Sequence, residues 1–163
     1  MCFRWPRRTP RRPLDLERAV TIIPPAVMAR GSNKPLSPQQ RRDLDIEISF
    51  LAGLTRRDPA FVEALQLLGD DYIQRGQLHE GTAVDEQVAR LRPDDPSVQY
   101  NLACSYALTN RPEAAYAALN RALDVGYRDF RRISRDPDLA GFRKHPLYRQ
   151  LRSRIRTLRI EIF

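Results

Sequence analysis

Apolar residues recur at helical spacing through most of the chain after Ser37. The segment 38–57 carries one apolar stripe with steps of three or four residues, the spacing of a buried helix face. Its members are Leu44, Ile48, Leu51 and Leu54 or Thr55. Ser37-Pro38 supplies an N-cap residue followed by a proline at the first helical position. This pattern predicts a single helix over 38–57.

The next part of the chain repeats itself with a period of 34 residues. Leu68-Gly69-x-x-Tyr72 recurs as Leu102-Ala103-x-x-Tyr106. The other matched pairs are Gly76 with Asn110, Gly81 with Ala115, Val88 with Ala122, Leu91 with Val125, and Pro59 with Pro93. Gly and Asn tolerate the left-handed conformation that follows a helix, and small residues let helices approach closely. The repeated unit is therefore predicted to be helix, turn, helix, turn.

These residues resemble the tetratricopeptide repeat, a family of paired helices that stack into a solenoid. The first repeat is carried by Leu65, Leu68, Gly69, Tyr72, Gly81, Val88 and Pro93. The second repeat is carried by Leu102, Ala103, Tyr106, Ala115, Leu119 and Ala122. Two positions depart from the family pattern: Gln99 stands where a large apolar residue belongs, and Asp85 where an aromatic or aliphatic residue belongs.

The resemblance implies an all-α fold, a short tetratricopeptide-like helical solenoid with a C-terminal capping helix. We expect a half repeat over 38–58, repeats over about 62–95 and 96–129, and a cap over 130–163. Asp136-Pro137 and His145-Pro146 cut the cap into pieces of about 129–135, 137–143 and 146–161. The region 122–148 resembles the closing segment of tetratricopeptide arrays in many bacterial proteins, so the array is expected to be of bacterial type.

The last helix has one apolar stripe with arginines around it. The stripe consists of Leu147, Leu151, Ile155, Leu158 and Ile162. The favoured interpretation is that the stripe packs on the second repeat, since a terminal repeat must cover the apolar flank of its neighbour. The alternative is a basic amphipathic helix that lies on anionic lipid or binds nucleic acid.

The charge is divided among three blocks of the 163-residue chain, whose 28 Lys+Arg and 20 Asp+Glu give a net charge of +8. Residues 1–42 carry ten bases and two acids, 43–127 seven bases and fourteen acids, and 128–163 eleven bases and four acids. The middle is therefore acidic and the ends are basic, which indicates an acidic module with basic flanks. The excess of Arg over Lys is attributed to a GC-rich genome.

Six prolines interrupt the block before Leu36, and residues 1–36 are predicted to be a flexible Pro/Arg-rich tail. Its alternatives are a basic arm that touches nucleic acid, an over-extended gene start, or an export signal with Val27-Met28-Ala29 as the cleavage site. The predicted location is cytoplasmic, and export is left open. No stretch approaches the roughly 20 apolar residues of a membrane span.

The sequence offers no catalytic constellation, so we predict that the protein is not an enzyme and has no cofactor. Two Cys and two His exclude a four-ligand Cys/His zinc site, and they exclude a disulfide framework unless Cys2 meets Cys104. Cys104 is expected to be a small, semi-buried apolar residue. The acids at 85–86 and 94–95 are attributed to a solvated helix end and an N-cap rather than to a cation site.

The resemblance places the functional site in a concave groove lined by the first helices of successive repeats. The groove residues are predicted to be Glu63, Gln66, Asp70, Ile73, Tyr100, Asn101, Cys104, Leu108, Arg131 and Arg135. One subclass of the family clamps a C-terminal carboxylate with five residues. The corresponding positions here are Gln66, Asp70, Asn101, Arg131 and Arg135. Three of the five match in chemistry, but Asp70 would repel a carboxylate. We therefore expect a protein or peptide partner with a basic residue or two. The alternative function is binding of nucleic acid or an anionic membrane by the N-terminal arm and last helix.

Overall fold

A computed structural model describes residues 35–161, with side chains to Ile160, and this part of the chain contains helices and turns but no strand. Within these residues, seven α-helices and two short 3₁₀ helices follow one another. The α-helices are α1 (Pro38–Arg57), α2 (Val62–Arg75), α3 (Leu78–Leu91), α4 (Pro96–Leu108), α5 (Pro112–Asp124), α6 (Phe130–Arg135) and α7 (Pro146–Glu161). The 3₁₀ helices are Pro137–Leu139 and Phe142–Lys144. The all-α fold class is confirmed.

Helix α1 begins where the capping residues predict. The Ser37 hydroxyl accepts from the Gln40 amide at 3.2 Å, and the Gln40 side chain accepts from the Ser37 amide at 2.9 Å. This reciprocal pair satisfies two amide groups that have no partner within the helix. Pro38 follows at the first helical position, and α1 spans the 38–57 segment that its apolar stripe predicts.

The turns after α2 and α4 have the same structure 34 residues apart. Gly76 and Asn110 both adopt positive φ, at 87° and 55°. The following amides donate back into the helix, from Gln77 to the Tyr72 carbonyl at 2.8 Å and from Arg111 to the Tyr106 carbonyl at 2.9 Å. Each turn thereby closes its helix with a left-handed residue and reverses the chain.

Small residues allow the two helices of each repeat to touch. A Cβ added to Gly81 of α3 would lie 2.7 Å from Ile73 Cδ1 of α2, and one added to Gly69 would lie 2.9 Å from an Asp85 oxygen. In the second repeat the matching residues, Ala103 and Ala115, have no exposed surface. Consecutive helices α1 to α5 pack in order, each against its neighbour.

The two departures from the family pattern are buried polar side chains with partners. Asp85 accepts a short hydrogen bond from the Ser105 hydroxyl, which joins α3 to α4. The Gln99 amide donates to the Pro93 carbonyl at 3.1 Å. The expectation that Asp85 belongs to a solvated helix end is therefore wrong, because its carboxylate lies inside the α3–α4 contact. Asp95, by contrast, is the N-cap of α4, as expected.

The C-terminal segment completes the buried cluster around α4 and α5. The first 3₁₀ helix packs on α4, and α7 packs on α5. Leu151 of α7 is completely buried, and Leu147, Ile155 and Leu158 are partly buried against the same cluster. The predicted packing of the terminal stripe on the second repeat is confirmed for these four residues.

Several predictions concern residues outside the described part of the chain. These are the tail 1–36 except Pro35 and Leu36, the possible cleavage site 27–29, Cys2, and Ile162 of the terminal stripe. The division of the chain into tail, half repeat, repeats and cap stays a prediction. Among the described helices, none combines the length and the apolar character that a membrane crossing requires.

Candidate functional site

The predicted groove residues come from three helices, α2, α4 and α6. Helices α2 and α4 contribute to one buried cluster, in which Val62 and Leu65 of α2 and Val98 of α4 lie together with Val88 of α3. On these helices Glu63 is exposed, and Gln66, Asp70, Asn101 and Leu108 are partly exposed. We call the surface formed by these five residues the α2–α4 face.

Three of the predicted groove residues are buried rather than open to a ligand. Ile73 packs against Gly81 of the neighbouring helix, and Cys104 lies in the main core cluster. Tyr100 is only 2 % exposed because the C-terminal segment covers it. The expectation that these three side chains stand on an open concave surface is therefore wrong. The remaining two, Arg131 and Arg135 on α6, are exposed.

Tyr100 belongs to a buried polar network that ties α4 to the C-terminal segment. Its hydroxyl donates to the Asp136 carboxylate at 2.7 Å, and its ring stacks on Tyr127 with centroids 4.5 Å apart. Asp136 also accepts from the Arg132 guanidinium at 3.5 Å and from the Asp138 amide at 3.0 Å. Burial above all, and then the neighbouring Cys104 and Asp136, raise the pKa of Tyr100, so the phenol stays protonated as a donor.

Cys104, Asp136 and Asp138 are the described residues whose grouping comes nearest to a metal site. Their ligand atoms lie within 4.8 Å of one another, and all three residues are buried. However, the Asp136 carboxylate is already bonded to Tyr100, Arg132 and the Asp138 amide. A guanidinium on the same carboxylate opposes a cation, so the arrangement fits a structural cap better than a metal centre.

A group of carboxylates between α1 and α2 was not anticipated. Asp71 is half-buried, and its pKa is raised to about 7 by desolvation, by Glu47 of α1 and by Asp70. One Asp71 oxygen is buried and has no hydrogen-bond partner among the described residues. The adjacent pair Asp70-Asp71 in a helix is the only sequence signal for it, and that pair alone does not reveal the approach of Glu47.

A cleft between α6 and α7 was not anticipated either. It has a volume of about 300 Å³ and combines an apolar floor with a basic wall. We call the apolar lining residues Phe130, Ile133, Tyr148 and Ile155 the floor, and the basic ones, Arg152, Arg156 and Arg159, the wall. Ser134 also lines the cleft. Arg159 lies over the Phe130 ring, with its guanidinium carbon 5.6 Å from the ring centroid. The spacing of arginines along α7 was visible in the sequence, but their position relative to α6 was not.

The burial of the α7 stripe bears on the alternative function. A helix that lies on lipid must offer its apolar face to the membrane. Here that face is turned toward α5, and Arg154 on its flank donates to Asn120 and pairs with Asp124. The exposed part of α7 is therefore its basic side, not its apolar stripe.

Three curated proteins are similar to about half of this chain. A protein of Arabidopsis thaliana whose name describes it as chloroplastic is 39% identical over 79 residues, which are 47% of this chain and 24% of that protein. The peroxisomal targeting signal receptors of Komagataella phaffii and Komagataella pastoris are each 34% identical over 88 residues, 53% of this chain and 15% of the receptor.

These similarities are partial on both sides. The aligned part spans a quarter or less of the length of each relative. No family model matches the chain. The chain is thus distantly similar to one segment of a chloroplast protein and of two targeting-signal receptors, and it has an all-α architecture of paired helices.

Proposed function

We propose that the protein is a non-enzymatic interaction module that binds a peptide or helix of another protein on the α2–α4 face. The observation that carries the proposal is that α2 and α4 share one buried cluster while polar side chains of both helices stay at least partly exposed. Gln66, Asp70 and Asn101 offer amide and carboxylate groups for a main chain and for basic side chains.

The comparisons support a protein partner in general terms. Two of the relatives are named as receptors for a targeting signal, and recognition of a signal is a binding rather than a catalytic role. The tetratricopeptide-like register of residues 62–127 supports the same function. The bacterial type of the array and the cytoplasmic location stay predictions.

Acidic groups on and beside the α2–α4 face determine which charges in a ligand it favours. Glu63 and Asp70 lie on α2, and Glu47 and Asp71 form the adjoining carboxylate group. A peptide with one or two Lys or Arg residues would complement these charges, whereas a C-terminal carboxylate would be repelled by Asp70. A more acidic end of the ligand would suit Arg131 and Arg135, which are exposed on α6.

Selection from a random peptide library displayed on phage tests the proposal. Peptides selected on the full chain are expected to be enriched in Lys and Arg. Their affinity should fall about tenfold or more when Gln66→Ala and Asn101→Ala are combined, since truncated hot-spot residues cost about 2 kcal/mol or more. The matched control combines Glu113→Ala and Arg121→Ala on the exposed side of α5 and should leave the affinity unchanged. Equal loss in both variants, or no selected peptide, would refute binding on this face.

A further inference from the structure

Large apolar side chains are exposed on the first helix and the last helix of the described array. Ile46 and Phe50 of α1 are 69% and 65% exposed, and Ile160 of α7 is 73% exposed. The inner side of α1, with Leu44 and Leu51, packs toward α2. Ile46 and Phe50 lie on the opposite side of α1, which no other described element covers.

The exposed side of α1 carries acids as well as apolar residues. Asp43, Ile46, Glu47 and Phe50 stand at positions i, i+3, i+4 and i+7, so they share one helix face. We call these four residues the α1 stripe. It spans about 10 Å along the helix at a rise of 1.5 Å per residue.

The α6–α7 cleft has the complementary chemistry. Its apolar floor suits Ile46 and Phe50, and its wall of Arg152, Arg156 and Arg159 suits Asp43 and Glu47. Along α7 the lining runs from Tyr148 to Arg159, about 16 Å at the helical rise, which is long enough for the α1 stripe. The cleft volume of about 300 Å³ is at the small end for ligand cavities and fits a few side chains.

We propose that two copies of the chain associate head to tail, with the α1 stripe of one copy in the α6–α7 cleft of the next. In stacked-repeat proteins each repeat buries apolar surface against its neighbour, so a second copy continues the stack at an uncovered end. One molecule offers a stripe at one end and a cleft at the other. The contact is therefore heterologous, and its repetition builds open chains rather than closed two-fold dimers.

The contact between the two copies is small and includes charge pairs. Both properties determine how the association should behave in solution. Interfaces below the standard size are weak and reversible. The mean mass in solution is expected to rise with protein concentration and to fall when salt screens the charges. This contact uses neither Gln66 nor Asn101, so the double variant that tests peptide binding on the α2–α4 face should associate like the parent.

Two surface variants of the full chain test the proposal by sedimentation equilibrium over about a hundredfold range of concentration. The stripe variant, Ile46→Ser with Phe50→Ser, removes the two apolar side chains that would contact the cleft floor. The cleft variant, Arg152→Glu with Arg156→Glu, places two anions opposite Asp43 and Glu47. All four substituted residues are exposed. Circular dichroism should show the parent helix content for both variants.

Each variant alone is expected to remain monomeric, because every contact needs one intact stripe and one intact cleft. An equimolar mixture is expected to form a complex of two chains and nothing larger. The cleft of the stripe variant can still accept the stripe of the cleft variant, whereas the opposite contact is blocked. The control variant, Lys144→Glu with Arg149→Glu, makes the same charge change off the cleft and should associate like the parent.

Several results would overturn the proposal. One is a parent chain that is monomeric at every concentration, as expected if another segment covers the α1 stripe. Another is a mixture of the two variants that stays monomeric, which would indicate a symmetric contact. A monomeric parent that binds a DNA duplex or phosphatidylserine vesicles, and loses that binding in the cleft variant only, would assign the cleft to a nucleic acid or a membrane instead.

Discussion

The hydroxyl of Tyr100 and the carboxylate of Asp136 are joined by a buried hydrogen bond of 2.7 Å between residues 36 positions apart. The bond connects α4 to the short segment before the first 3₁₀ helix. Since Asp136 also caps that 3₁₀ helix through the Asp138 amide, one carboxylate determines both the local turn and its position on α4.

Replacing Tyr100 by Phe should therefore destabilise the fold without creating a cavity. A hydrogen bond to a charged group contributes about 1.5–3 kcal/mol, and its loss leaves Asp136 with one donor fewer in a buried site. Urea unfolding monitored by circular dichroism measures the change. Tyr116→Phe, at a partly exposed tyrosine of α5, is the control and should change stability by less than about 0.5 kcal/mol. Equal effects of the two substitutions would contradict a specific role for the Tyr100 bond.

Replacing Tyr100 by Ala should cost more, about 3–5 kcal/mol, because the stacked ring is lost as well. A residue on an open groove, where the sequence analysis placed Tyr100, could instead be truncated at little cost in stability. A variant that melts like the parent would restore the open-groove interpretation.

Substitutions at two helical glycines distinguish the effect of close packing from the effect of helix propensity. Gly81→Ala would bring a Cβ within 2.7 Å of Ile73 Cδ1, so we expect a loss of about 1–3 kcal/mol from overpacking. Gly53 has no neighbour within 4 Å of an added Cβ, and Gly53→Ala should stabilise α1 by about 0.5–1 kcal/mol. Urea unfolding of the two single variants measures the change in the free energy of unfolding, which should have opposite signs. A gain in stability for Gly81→Ala would show that α2 and α3 are farther apart than described.

The parts of the fold that follow local rules could be predicted from the sequence. The left-handed residues Gly76 and Asn110 recur in one register, and Ser37-Pro38 marks a helix start by capping chemistry alone. These features depend on a few neighbouring residues, which a one-dimensional pattern contains.

Long-range contacts could not be predicted in the same way. Asp85 is a polar residue in an otherwise typical position, and its partner Ser105 lies 20 residues later, so its burial has no local signal. The cover over Tyr100 comes from a segment without helical periodicity, cut by Pro137 and Pro146. The α6–α7 cleft depends on the angle between two helices, which their sequences do not specify.

The stability of the protein should depend on pH through Asp71. Its pKa rises from 3.8 to about 7 on folding, so between these values the folded state binds more protons than the unfolded chain. Stability should accordingly fall as the pH rises from about 4 to 7 and level off above that range. Asp71→Asn removes this dependence and should be more stable than the parent at pH 8, with the difference shrinking toward pH 4.

Thermal unfolding at several pH values measures how Asp71 changes the pH dependence of stability. The control is Glu63→Gln, which removes an exposed carboxylate from the same helix. The control should keep the slope of the parent. A parent whose melting temperature is flat between pH 4 and 7, or an Asp71→Asn variant with the same slope as the parent, would contradict the raised pKa.

Helix α7 should be required for the core around α4 and α5. Substitutions at a buried and at an exposed residue of α7 distinguish this role from surface effects. Leu151 is completely buried against the main core cluster, so Leu151→Ala should cost about 2–5 kcal/mol through lost burial and the remaining cavity. Ile160 of the same helix is 73% exposed, and Ile160→Ala should change stability by less than about 0.5 kcal/mol.

Arg154→Ala removes the contacts to Asn120 and Asp124 and should cost under about 1 kcal/mol, the usual range for exposed pairs. Urea unfolding of the three variants provides the comparison. If Leu151→Ala and Ile160→Ala had equal small effects, α7 would be an appendage rather than the closing helix of the core.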